Sequence, residues 1–437
     1  MSSAAGGIGS AALYAVASIT ASPTNVLTKP EEADDKKHHL KGGRGFTNPW
    51  ESFVDMQPAK LFAAMAWRKI RGEIHMPDTT PPTVPIRTPT FHQTRSQPPN
   101  TLRATWLGHA CYYVEFPSGL RVLFDPVFED CCSPFEIKSL KRYTPPPCEI
   151  EDLPFVDAVL ISHNHYDHLS YPTTLRLKKK FPNAHWWVPL GVKKWFIDSG
   201  VSEGNVTELD WWEGRDVVLE VVKGGGAVVD VKKEGEVASQ AESGNESEGK
   251  TITATIAALP CQHLSARGPF DRCKTLWASW SVDSGGAKVY FAGDTGYRTV
   301  PRLPKGTDDY SAEYSHLPVC PAFAEIGKHR GPFDLGLIPI GAYEPRFIMS
   351  CMHANPKDSV NIFADTKCKK ALGMHWGTWV LTEEDVMEPP RKLREAGGET
   401  QGEVEGEGVE GKKEEEEGVF DITDIGESRV VQVGGKE

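Results

Sequence analysis

Four side chains of metal-binding type fall within one short stretch of the chain, Leu160-Ile-Ser-His-Asn-His-Tyr-Asp-His-Leu169: His163, His165, Asp167 and His168. Imidazole nitrogen and carboxylate oxygen suit a borderline cation such as zinc. Side chains alternating out of an extended loop can reach two neighbouring ions from one segment, so the spacing points to a binuclear site. The competing reading is a polar loop with surface histidines, which gives four clustered ligand-type residues no purpose.

A loop of this kind needs a rigid support. The apolar run Ala158-Val-Leu-Ile161 just before it reads as a buried strand. The same design recurs downstream. Thr251-Ile-Thr-Ala-Thr-Ile-Ala-Ala-Leu259 is β-branched and alternating, and it delivers His263; Lys288-Val-Tyr-Phe-Ala-Gly-Asp294 ends in a carboxylate; Ala371-Leu-Gly-Met-His375 ends in histidine. An Asp before Thr-Gly can also be a simple turn former. Between these runs, helices are expected over residues 173–181 behind a Ser170 cap, 320–327, and 359–366 behind Asn355. A hairpin is expected over residues 105–125. Strand, ligand loop, helix, strand is an α/β-layered order.

The chain has 437 residues, 39% of them hydrophobic, enough for a sizeable core. Of its formal net charge of −12, eight Glu against two Lys in residues 403–417 supply −6. The remainder is only mildly acidic, which argues against nucleic acid as a partner. Nine cysteines, scattered without a Cys-x-x-Cys pair, read as reduced thiols of an intracellular chain. No apolar run is long enough to span a bilayer, so any membrane contact is expected to be peripheral. Residues 58–71 read as a basic amphipathic helix, with Leu61, Phe62, Met65 and Trp67 for an acyl boundary and Arg68, Lys69 and Arg71 for lipid phosphates. Most such helices simply pack on a core.

The expected organisation is a disordered segment over residues 1–45, with His38 and His39 facing solvent, and an extension over 46–100 carrying the amphipathic helix. The main domain follows over 101–393, with insertions near 223–250 and 299–319, and then an acidic, disordered tail over 394–437.

The ligand set and element order resemble the metallo-β-lactamase superfamily, a four-layer αββα sandwich. Thr105-Trp-Leu-Gly-His109, the ligand loop, Leu209-Asp-Trp-Trp-Glu213, Phe291-Ala-Gly-Asp-Thr-Gly-Tyr297, Ile338-Pro-Ile-Gly-Ala-Tyr-Glu-Pro-Arg346, His375-Trp-Gly-Thr378 and Phe46-Thr-Asn-Pro-Trp50 narrow the resemblance to N-acyl-phosphatidylethanolamine-hydrolysing phospholipases D. The resemblance implies two Zn²⁺, the first on His163, His165 and His263, the second on Asp167, His168 and His375, with Asp294 bridging. His at position 165, where diiron flavoproteins of the fold carry Glu, favours zinc. It further implies Asp167 or Asp294 as proton acceptor, Tyr166 and His353 on the substrate side, and a membrane-associated homodimer acting on a phospholipid. Met352 stands where that family carries a polar amide. The alternatives are a binuclear hydrolase of another phosphodiester or lactone, and a catalytically idle metal-binding scaffold, against which the complete ligand set argues.

Overall fold

The computed structural model describes residues 13–23, 27–56, 58–222, 251–304, 306–400 and 420–434. In chain order the strands are β1 (Tyr14–Ala21), β2 (Thr101–Gly108), β3 (Cys111–Glu115), β4 (Arg121–Phe124), β5 (Ala158–Leu160), β6 (His185–Pro189), β7 (Val206–Leu209), β8 (Gly214–Val221), β9 (Ile252–Leu259), β10 (Ser279–Ser284), β11 (Ala287–Phe291), β12 (Leu335–Pro339), β13 (Ala371–Met374), β14 (Phe420–Asp421) and β15 (Ser428–Gln432). The helices are α1 (Pro58–Ile70), α2 (Tyr171–Lys180), α3 (Lys193–Asp198), α4 (Ala322–His329), α5 (Arg346–Met349), α6 (Pro356–Asp365) and α7 (Glu388–Thr400). One sheet runs β1-β8-β9-β10-β11-β12-β13-β14 and the other β15-β2-β3-β4-β5-β6-β7.

The two sheets face each other across the main core. Alternation along β4 shows how: Val122 and Phe124 point inward, Phe124 stacking on Phe291 of β11 at 4.7 Å, while Leu123 points outward among Leu177 of α2 and Phe196 of α3. On the far side, Phe323 and Ile326 of α4 and Ile362 of α6 cover the other sheet. The result is the αββα sandwich. Strands wholly buried on both faces explain why β5, β12 and β13 read as continuous apolar runs. Ser170 caps α2 through Thr173 N, and Asn355 forms a capping box with Asp358 at α6, as the sequence indicated.

Both termini depart from the expectation of disorder. Residues 14–21 form an edge strand antiparallel to β8, from Tyr14 against Val221 to Ala21 against Arg215. At the other end β15 pairs antiparallel with β2, burying Val431, and Ile425 is fully buried. The acidic composition of the tail hid this short apolar end. His38 and His39 do not face solvent alone: Nε2 of each approaches the buried Asp210 carboxylate, at 2.7 and 2.9 Å. A buried carboxylate requires donors, and these imidazoles with Lys36 supply them. Residues 223–250 lie outside the described residues, as do 401–419. The described residues of 299–319, the other expected insertion, lie outside both sheets.

Helix α1 forms where expected, but its basic face is divided. Arg68 is buried in a bidentate pair with Glu383, at 2.5 and 2.6 Å, and so is not free to meet a lipid phosphate. Phe62, Trp67 and Ile70 are exposed. Among the described residues no helix is long and apolar enough to cross a membrane, and all nine cysteines are free thiols.

Candidate metal centre

The ligand-type residues emerge where strands stop, at one edge of the sandwich. β4 leads into Asp125, β5 into His163–His168, β9 into His263, β11 into Asp294 and β13 into His375. Backbone strain collects there: His109, Asp125 and His375 have φ of 51°, 38° and 61°, a region ordinary side chains avoid. Gly293 is required for close approach, since a Cβ there would lie 2.7 Å from Ser162 Cβ.

All seven sequence-predicted ligands converge. His163 Nε2 and His263 Nε2 lie 2.8 and 3.3 Å from His165 Nδ1, and each is 3.8 Å from Asp294 Oδ2. On the other side of the same oxygen, His168 Nε2 is 3.1 Å and His375 Nε2 3.0 Å away, and both lie within 3.6 Å of Asp167 Oδ2. Asp294 Oδ2 thus stands between an all-histidine group and a mixed His/Asp group. His353 faces the pair, its ring 5.2 Å from His263 and 5.3 Å from His375. Tyr166 stacks on the Arg267 guanidinium at 3.9 Å, at the rim of the ligand loop.

Two positioning groups were not assigned from sequence. Asp125 Oδ2 accepts from Ser162 Oγ at 2.5 Å and lies 2.7 Å from His168 Nδ1, while Ser162 Oγ is 2.9 Å from His163 Nδ1. His109 Nε2 lies 3.0 Å from Asp167 Oδ2. The signal for Asp125 was present, since a carboxylate ends the apolar strand β4 as Asp294 ends β11. The Met352 carbonyl, 2.9 Å from His263 Nδ1, orients that ring through backbone that any residue at 352 would supply. With acceptors on Nδ1 of His168 and His263, their Nε2 lone pairs turn to the centre.

The electrostatics suit a cation. Burial opposes charge on Asp294, yet His168 and His375 hold it well below the usual carboxylate range. Burial likewise opposes charge on His375, but Asp294 and Asp167 raise it to about 9. His163 and His263 are pushed down by burial. His168 Nε2, both ring nitrogens of His375 and Asp294 Oδ1 are buried without hydrogen-bond partners. Buried polar atoms left unpaired are costly, and a cation held at Nε2 of His168 and of His375 would relieve those two. A cavity of about 1280 Å³ lies elsewhere, lined by Arg302, Arg346, Glu388 and neighbours, and includes none of the seven ligands.

Comparison with known proteins agrees with this geometry. Residues 120–376 match the family model described as beta-lactamase superfamily domain. An N-acyl-phosphatidylethanolamine-hydrolyzing phospholipase D 1 of Caenorhabditis elegans is 36% identical over 73% of this chain and 74% of its own. The chain belongs to the metallo-β-lactamase superfamily and, within it, to the family of N-acyl-phosphatidylethanolamine-hydrolysing phospholipases D. An uncharacterized protein of Mycobacterium tuberculosis is 30% identical over 78% of this chain and 77% of its own. A mitochondrial enzyme of the same name from Saccharomyces cerevisiae is 31% identical over 78% of this chain and 59% of its own. This is a metal-dependent phosphodiester hydrolase of that family, and His163, His165, His263 and Asp294 on one side, with Asp167, His168 and His375 beside His109 on the other, form groups that could hold a divalent metal.

Proposed function

We propose that the chain holds two Zn²⁺ and hydrolyses N-acyl-phosphatidylethanolamine to N-acylethanolamine and phosphatidic acid. The observation that carries the reading is the cluster around Asp294 Oδ2, in a chain with two relatives named for this substrate. His163, His165 and His263 would hold one ion, Asp167, His168 and His375 the other, and Asp294 would touch both. Bound cations of this kind supply Lewis-acid neutralisation of a phosphodiester and acidify water near neutral pH.

The protein's own groups do the rest. Water oxygen adds to phosphorus as one of its protons passes to a carboxylate, the phosphorus–oxygen bond to the ethanolamine breaks, and that proton returns to the departing alkoxide. Asp167 is 16% exposed against 1% for Asp294, so it is the carboxylate open to the incoming water and placed to take its proton. His353 has a pKa pushed down to about 4 by burial, so at neutral pH its imidazole is uncharged and available to donate to a phosphoryl oxygen. Tyr166 stands on the substrate side of the loop.

The substrate is a bilayer lipid, and the mouth is built for one. Phe270 is 92% exposed and Phe135 73%. Phe270 lies in the loop that Arg267 ties to Asn164 and Leu169 carbonyls at 2.9 and 2.7 Å. Phe135 lies in the loop whose Cys132 packs on Trp379, beside His109. Phe62 and Ile70 of α1 are exposed apolar side chains as well, and exposed Lys69 and Arg71 on the same helix and its end supply charge for anionic headgroups. Peripheral docking on a membrane follows, and the family resemblance carries the expectation of a homodimer.

The test is to incubate the purified chain with vesicles containing N-acyl-phosphatidylethanolamine and, separately, with a generic phosphodiester, and to identify products by mass spectrometry. N-acylethanolamine with phosphatidic acid is expected; turnover of the generic diester alone would overturn the substrate assignment.

A further inference from the structure

Two sequence motifs take no part in the metal cluster: Phe46-Thr-Asn-Pro-Trp50 near the start of the chain and Leu209-Asp-Trp-Trp-Glu213 after β7. The structure brings them together. Trp50 stacks on Trp211 with ring centroids 5.3 Å apart and planes 12° from parallel, and His38 stacks on Trp211 at 4.3 Å. Asp210 meets the N-terminal segment through His38, His39 and Lys36, the last at 3.0 Å. The segment so held runs to within reach of a metal ligand. Asn48 Nδ2 donates to the backbone carbonyl of His263 at 2.7 Å, and Ser52 Oγ donates to the side chain of the adjacent Gln262 at 2.6 Å.

We propose that Asn48 is a positioning residue for His263, and that the Asp210 clasp is what holds Asn48 in place. β9 stops at Leu259; beyond it Gln262 makes an isolated antiparallel bridge to Gly296, and His263 itself makes no ladder bond. Two groups substitute for it: the Met352 carbonyl takes the ring, and the Asn48 amide takes the main chain. Asn48 is buried, so its bond is not diluted by water. Among the described residues, none of the N-terminal segment is hydrogen-bonded to Asp167, His168 or His375. The clasp therefore acts on the all-histidine group alone, and the N-terminal motif is part of the metal centre rather than a leader to it. Outer groups that orient ligands change metal affinity by about 10–100-fold when removed.

This inference rests on the reading of His263 as a ligand, and Zn²⁺ alone tests it. In full-length His375→Ala, which keeps the His163/His165/His263 group, Zn²⁺ affinity by chelator competition is expected to fall about 10–100-fold on adding Asn48→Ala. In full-length His165→Ala, which keeps the Asp167/His168/His375 group, adding Asn48→Ala is expected to leave affinity unchanged. Equal losses in both backgrounds, or none in the first, would overturn the proposal. Asn48→Leu, close in size and lacking the donor, gives the same test if the alanine variant does not fold. Asp210→Asn is expected to weaken the same group selectively, and an unchanged affinity would overturn the clasp. No lipid enters these titrations, so a wrong substrate assignment leaves their outcome intact, whereas a parent chain that takes up no Zn²⁺ overturns both readings.

Discussion

Ending the chain after Thr400 removes β14 and β15, and the consequence can be worked from the structure. β15 pairs with β2 from Ser428 against Thr105 to Gln432 against Thr101. Ile425, Val431 and Val433 are 0%, 5% and 4% exposed. At about 1.5–3 kcal/mol for each fully buried aliphatic side chain, their gross contribution is about 5–9 kcal/mol, an upper figure because the unfolded chain already buries part of that surface. Set against a net stability of about 5–15 kcal/mol, even a third of it is a large fraction. β2 also ends at the turn that presents His109 to Asp167. Truncation after Thr400 is therefore expected to lower Tm by several degrees and to weaken metal retention. Deleting only residues 403–417 is expected to change neither, because that acidic run cannot bury enough apolar surface to dock. Differential scanning calorimetry and metal analysis on both forms decide it. A chain truncated after Thr400 that melts with the full-length protein and keeps its metal would refute the reasoning.

Asp294→Asn is expected to cost both ions together, because one oxygen faces both groups; elemental analysis showing a stoichiometric pair in the variant would exclude the shared position. Phe62→Asp with Ile70→Asp is expected to lower vesicle binding and hydrolysis of vesicle substrate while detergent-dispersed substrate is still cleaved, since both side chains are exposed. Equal loss on both forms would make α1 a packing element only. Burial pushes the pKa of His185 down to about 3, so it stays neutral in the fold while the unfolded chain protonates it below about 6.5. Its stabilising contribution is present above that pH and is lost as pH falls, about 2 kcal/mol between pH 7 and 5. Denaturant unfolding at the two pH values is expected to show a shallower dependence in His185→Asn, and equal slopes would remove His185 as a source.

The parts of the molecule governed by local pattern were legible in the sequence. His163, His165, Asp167 and His168 sit on one loop, and His263, Asp294 and His375 each follow an apolar strand, so period and strand ends sufficed. The caps of α2 and α6 read directly from Ser170 and Asn355. What escaped depends on distant partners. β1 and β15 are edge strands whose burial comes from β8 and β2, and nothing within either segment reveals that partner. His38 and His39 look like polar loop until Asp210, far along the chain, is placed beneath them. Arg68 counted as a lipid-facing charge because Glu383, its partner, is not a helical neighbour.

Titrating the metal-free chain with Zn²⁺ while following N-acylethanolamine release tests the account most directly. Hydrolysis is expected to rise with the second equivalent, because on the proposed two-ion reading the His163/His165/His263 group and the Asp167/His168/His375 group would each hold one ion, and both would be needed to neutralise the phosphodiester. Full activity at one equivalent, or release of N-acylethanolamine with no metal bound, would contradict it.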